Sequence, residues 1–100
     1  PDECILIIRV YLSKLKRLLK IQSEIKNTKN IDKAISSYKP TIFWKEKDII
    51  REQIKIWNYE DIKKLIIKTN EIELLIKKRP MISINIITNF ILEQAIGTNN

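Results

Sequence analysis

The sequence predicts an all-α fold, a compact bundle of about five helices, and three observations predict it. Breakers are scarce, with a single Gly and three Pro in 100 residues, whereas Lys, Glu, Ile and Leu abound. Apolar residues recur three and four apart along most of the chain, the period that aligns side chains on one helical face. The polar stretch KNTKN at 26–30, Pro40, Asn58 and Pro80 divide that pattern into five segments. A chain of this length has room for one modest core, so residues 1–97 read as a single helical domain with a frayed tail at 98–100.

Residues 2–26 form the first predicted helix, with Ile5, Ile8, Leu12, Leu15 and Leu19 on one face and Arg9, Lys14, Lys16, Arg17 and Lys20 mostly elsewhere. Asp2 is placed to cap its start, and Asp2 with Glu3 suits the positive end of the helix dipole. Residues 31–38 make a weaker second helix, with Ile31, Ala34, Ile35 and Tyr38 on one side. Pro40 ends it, because a residue before proline avoids helical geometry.

The third helix covers 46–57, with Ile50, Ile54 and Trp57 on one stripe and Ile49 and Ile56 toward its flanks. Asn58 is placed to cap the fourth, 59–78, whose stripe of Ile62, Leu65, Thr69, Ile72 and Ile76 has the cleanest period in the chain. Glu60 with Lys64 and Glu73 with Lys77 are four apart in the favourable order. The last segment, 83–96, alternates like a strand at ISINI but has no partner strand elsewhere. A helix is expected, with Ile84, Ile87, Phe90, Ile91 and Ala95 on its face, Ser83 as its cap and Gly97 as its stop.

Nothing in the chain assembles into catalytic chemistry. The absence of His removes the commonest general base and metal ligand, and a lone Cys4 on an apolar face reads as a small core residue. A single Gly rules out a glycine-rich phosphate loop. The carboxylates are interleaved with Lys on polar faces, and Ser36 and Ser37 have no His to activate them. No cofactor and no metal are expected. No apolar run approaches the roughly 20 residues of a membrane span, so no membrane partner is expected, and an unpaired Cys fits a reducing, cytoplasmic setting. The first residue is Pro rather than Met and helical periodicity begins at once, which reads as a piece of something longer.

Formal charge is +7, and Lys14, Lys16, Arg17 and Lys20 form a candidate basic patch, continued by Lys26, Lys29 and Lys33, with a second knot at KKRP, 77–80. Such clusters attract phosphates by displacing counterions, yet Lys-rich helical faces are more often solvated, and these lack interleaved aromatics. DNA contact is therefore not favoured, and a small basic nucleic-acid-binding domain stays as the alternative.

The stretch PTIFWKEKDIIREQIKIW, 40–57, places Phe43, Trp44 and Trp57 around one short helix. Trp57 continues the Ile50–Ile54 stripe and reads as core. For Phe43 and Trp44 both a core and a partner-facing role stay open, since adjacent residues rarely both point inward; they are the candidate partner interface.

Pro40-Thr-Ile-Phe43-Trp44-Lys-Glu-Lys47, followed by Gln53, Trp57, Leu65 and Glu73-Leu-Leu-Ile-Lys77, resembles the C-terminal region of the bacterial DNA polymerase III delta subunit. That family carries a Pro-x-x-Phe-x-x-basic-Lys lead-in, a helix ending in Trp or Leu, then a helix with Leu and a terminal Glu-x-x-x-Lys. The match covers residues 40–78, and the first helix fits the family's long helix before the motif. The chain departs from the pattern at Lys78-Arg79-Pro80, where the family has a small or Gly-containing link, and the last helix matches only by being apolar. The resemblance implies the non-catalytic collar domain of a clamp-loader subunit, which loads the sliding clamp during DNA replication. Its partners would be the other clamp-loader subunits, packed side by side in a collar, with the sliding clamp reached only through an N-terminal domain outside these residues. Ile50, Ile54, Trp57 and Leu65 would be the core of the family motif, and ATP hydrolysis would belong to neighbouring motor subunits.

Overall fold

A computed structural model describes residues 2–99, with side chains described for residues 3–94. The fold is all-α, as expected, with five α-helices and no strand among the described residues. The helices are α1 (Asp2–Thr28), α2 (Ile31–Ser37), α3 (Lys47–Ile56), α4 (Tyr59–Lys78) and α5 (Ser83–Asn99), with short 3-10 turns at Trp44–Glu46 and Pro80–Ile82. The chain divides into two compact units. Unit 1 combines Pro1–Ser13 with Ile67–Asn100, and unit 2 is Lys14–Ile66, so α1 and α4 each contribute to both.

Unit 2 is organised by the second half of α1. Leu18 and Ile21 pack with Ala34 and Ile35 of α2, Ile42 of the connection, Ile50 of α3 and Ile62 of α4. Ile54, Trp57 and Tyr38 are partly buried against this cluster. Burying an Ile or Leu side chain is worth about 1.5–3 kcal/mol, so short α2 and α3 are held by this core rather than by their own propensity.

The helix ends show how the sequence is read locally. α1 runs to Thr28, two residues beyond the expected end at 26, and Lys29 stops it by taking a left-handed φ of 57°. Its N–H donates to the Ile25 carbonyl at 2.6 Å, closing the last turn. Asn30 then caps α2, its Oδ1 accepting from the Lys33 N–H at 3.0 Å. α2 ends at Ser37, before the cis Lys39–Pro40 bond. Asn58 caps α4 as expected, its Oδ1 accepting from the Asp61 N–H at 2.8 Å. Arg51 of α3 spans two carboxylates, Asp32 of α2 and Asp48 of its own helix, each at 2.6 Å.

In unit 1 the buried side chains are Cys4, Ile8 and Leu12 of α1, Thr69, Ile72 and Ile76 of α4, and Ser83, Ile87 and Phe90 of α5. Tyr11 meets Phe90 edge to face at 5.9 Å, and its burial raises the phenol pKa above 10.0. Glu73 accepts from Arg9 at 3.3 Å and Lys77 at 3.2 Å. Its pKa lies below 4.5, chiefly through the Lys77 hydrogen bond, opposed by partial burial.

Several expectations need correction. The stripe of α5 includes Ile87 and Phe90, but Ile84 and Ile91 are exposed, because a helix apolar on most sides has no period to select its buried face. Ser83 does not cap α5. Its hydroxyl turns back and donates to the Pro80 carbonyl at 2.9 Å, sealing the 3-10 turn. α5 continues through Gly97, since an interior glycine costs only about 1 kcal/mol unless it adopts positive φ, and none does here. Glu60 reaches Lys63, three residues on at 3.8 Å, in place of the expected Lys64. The Asp2 cap, the Ala95 side chain and the end of the tail at Asn100 lie outside the described residues.

Candidate functional site

The connection from α2 to α3 alternates as an extended segment does. Ile42 turns in and is buried, while Thr41 and Phe43 turn out. A 3-10 turn then starts at Trp44, closed by the Glu46 N–H donating to the Phe43 carbonyl at 2.9 Å. Phe43 is 57% exposed and Trp44 69% exposed, their ring centres 5.9 Å apart. Lys45 places its ammonium 5.4 Å from the Trp44 ring centre. The candidate partner residues are therefore brought together, on the surface of unit 2, by a buried isoleucine between the proline and the aromatics. Sequence reading left Ile42 out; the signal available was alternation in Thr41-Ile42-Phe43.

The motif residues assigned to the core sort differently. Ile50 and Leu65 are buried, and Ile54 and Trp57 are half-buried. Trp57 ends α3 in an extended conformation, its N–H donating to the Gln53 carbonyl at 2.9 Å. Its own carbonyl accepts from Gln22 Nε2 of α1, so a buried amide that periodicity could not flag holds the end of α3. Gln22 Oε1 is buried without a hydrogen-bond partner. α3 carries a second, outward pair of apolar residues, Ile49 and Ile56, 58% and 65% exposed.

The basic patch is only partly free. Lys14, Lys16 and Lys20 are exposed, but Arg17 is ion-paired with Glu46 at 2.9 Å, and Lys20 sits over the Tyr38 ring at 5.6 Å. Helical geometry puts Lys16, Arg17 and Lys20 on one flank of α1, with Lys14 at its edge. Lys26 and Lys63 both approach the Tyr59 ring, at 4.4 and 5.5 Å. The charge is unevenly shared: unit 2 has fourteen basic and seven acidic residues, whereas unit 1 has five of each. The whole +7 belongs to unit 2.

Among the described residues no group of three or more Cys, Asp or Glu side chains is placed to hold a metal. No described helix is long and apolar enough to cross a membrane. The fold and surface thus define an all-α chain with exposed aromatics on a cationic unit. No protein-family model, curated protein or solved structure matches it.

Proposed function

We propose that the chain is a non-catalytic protein-association domain, and specifically the collar domain of the delta subunit of a bacterial, cytoplasmic DNA polymerase III clamp loader. The observation that carries this reading is how the residues of the stretch PTIFWKEKDIIREQIKIW, 40–57, sort. Ile42 and Ile50 are buried and Trp57 is half-buried, while Phe43 and Trp44, two of the three large aromatics of the stretch, face solvent together. Large aromatics are enriched at the centres of protein interfaces, where each carries a large apolar area at small entropic expense. The exposed Ile49 and Ile56 extend the apolar surface of the same unit. Catalysis, nucleotide hydrolysis and contact with the sliding clamp fall to other parts of the assembly in this reading.

Mixing the protein with the C-terminal domain of a clamp-loader motor subunit and following co-elution tests it. A complex at micromolar concentration is expected; two separate peaks would contradict the reading.

A second reading, nucleic-acid binding, is favoured by one observation, the confinement of the net charge to unit 2. It expects duplex affinity that falls steeply with salt and is lost when Lys16, Arg17 and Lys20 are neutralised. Affinity indifferent to those substitutions would dispose of it.

A further inference from the structure

We infer that the partner segment covering Phe43 and Trp44 is acidic, and that a groove in unit 2, between α1 and the end of α2, receives one of its carboxylate side chains. This deepens the association reading and rests on it in taking the contact at Phe43 and Trp44 to be with a protein. The groove has a volume of about 370 Å³, floored by Ile21 and Ala34 and bordered by Lys20, Tyr38 and Lys39. Ile21 and Ala34 are buried, whereas Lys20 and Lys39 are exposed and bring two ammonium groups to its rim. The groove and the aromatic pair are neighbours along α1. Lys20 stands over Tyr38 at 5.6 Å, and Arg17, three residues earlier on the same flank, pairs at 2.9 Å with Glu46, in the 3-10 turn that begins at Trp44. These two anchor points lie about 5 Å apart along the helix axis, so one extended segment of a few residues reaches both.

Local charge defines the occupant. Lys16 and Lys20 lie on the α1 flank, and Lys39, Lys45 and Lys47 lie along the connection into α3. Among the described residues none of these five is ion-paired. Five of the seven carboxylates of unit 2 are engaged elsewhere: Glu46 by Arg17, Asp32 and Asp48 by Arg51, Glu52 by Lys55 and Glu60 by Lys63. The lysines therefore stay unneutralised within the unit, and the carboxylates of a partner are their complement. Glu24, one turn beyond Lys20, also lines the groove. A peptide meets it with backbone N–H donors, whereas a phosphodiester backbone has none. The rings favour a protein in the same way. Lys45 lies over Trp44 at 5.4 Å, Lys20 over Tyr38, and Lys26 and Lys63 over Tyr59, so ammonium groups stand where a stacked base would lie. Phe43 leans against Trp44 at 51°, an angled pair that suits an aliphatic side chain better than a flat base. Exposed ion pairs add little affinity singly, so the aromatics supply the grip and the lysines select the sign of the partner.

The test is an amide chemical-shift titration of the intact chain with an acidic peptide of about twelve residues, bearing Glu on both sides of a central Leu pair. Its Gln-for-Glu counterpart and an oligothymidylate of similar length are titrated beside it. Shifts with the acidic peptide are expected at Lys20, Tyr38, Lys39, Phe43 and Trp44, with an affinity that falls as salt rises. The Gln counterpart should bind at least about tenfold more weakly. A Lys20→Glu/Lys39→Glu variant, checked for retained helicity, should bind the acidic peptide at least about tenfold more weakly. The same variant should bind a Lys-for-Glu peptide more tightly than the wild-type protein does. Equal affinity for the Glu and Gln peptides, or shifts that leave Lys20, Tyr38 and Lys39 unmoved, overturns the proposal. So does tighter binding of the oligonucleotide at the same positions, because a phosphate backbone is then the occupant. Shifts there on raising the protein's own concentration overturn it too, because a second copy then covers the site. Selective binding of the acidic peptide, without binding of the motor-subunit domain, would leave the acidic site standing and end the collar reading. A motor-subunit domain that binds wild type and variant alike, with no selectivity between peptides, would do the reverse.

Discussion

Gln22 of α1 donates its side-chain amide to the main-chain carbonyl of Trp57, fixing the C-terminal end of α3 against the helix that organises unit 2. The amide has no partner for its oxygen, so it is only half satisfied. Gln22→Ala should cost about 1–3 kcal/mol, because it strands the Trp57 carbonyl and opens a gap. Gln22→Met, which keeps the volume and removes the orphaned oxygen, should cost less. Urea titrations of the three proteins decide the order.

The two faces of α3 make opposite predictions for neighbouring isoleucines. Ile50 is 2% exposed and packs in the core, so Ile50→Ala should lose about 2–5 kcal/mol. Ile49, one residue earlier and outward, should change by no more than about 0.5 kcal/mol on the same substitution. Equal losses measured by chemical denaturation would show that the faces are misassigned.

How legible these faces were depends on the element. α4 was read to its observed limits, with all five stripe residues buried and its Asn58 cap in place, because strict spacing and a capping side chain agree there. α5 is apolar on most sides, so spacing could not choose among Ile84, Ile87 and Ile91; packing against α1 in unit 1 made the choice. Phe43 and Trp44 stayed ambiguous because their outward placement depends on Ile42 turning inward, a tertiary fact in a segment too short for periodicity. The Gln22–Trp57 bond joins residues 35 apart and leaves no local signature.

Lys29 is a lysine where helix termination favours glycine. A side chain at φ 57° carries a penalty of roughly 1–2 kcal/mol that glycine escapes. Lys29→Gly should therefore raise stability by about 1 kcal/mol, seen as a higher melting temperature, while Lys29→Val should lower it. No gain on glycine substitution would mean that the α1 terminus is held by Asn30 and Thr28 alone.

Acid sensitivity should trace in part to Glu73. Its folded pKa is lowered by Lys77, against partial burial, with help from Arg9, so its contribution is fully present above the ordinary value of 4.5. That contribution drains away as pH falls below 4.5 through the lowered folded value. Glu73→Gln should lose stability at neutral pH and flatten the stability profile in that acid window. Parallel profiles for the two proteins would contradict the assignment.

Association is best measured by calorimetric titration of the protein with the C-terminal domain of a motor subunit, beside a Phe43→Ala/Trp44→Ala variant that leaves the buried core intact. Saturable one-to-one binding at micromolar concentration or tighter, weakened at least about tenfold in the variant, is the predicted result. No heat of binding with the wild-type protein, under conditions where it binds duplex DNA in a salt-sensitive manner, would contradict the association reading and favour the nucleic-acid one.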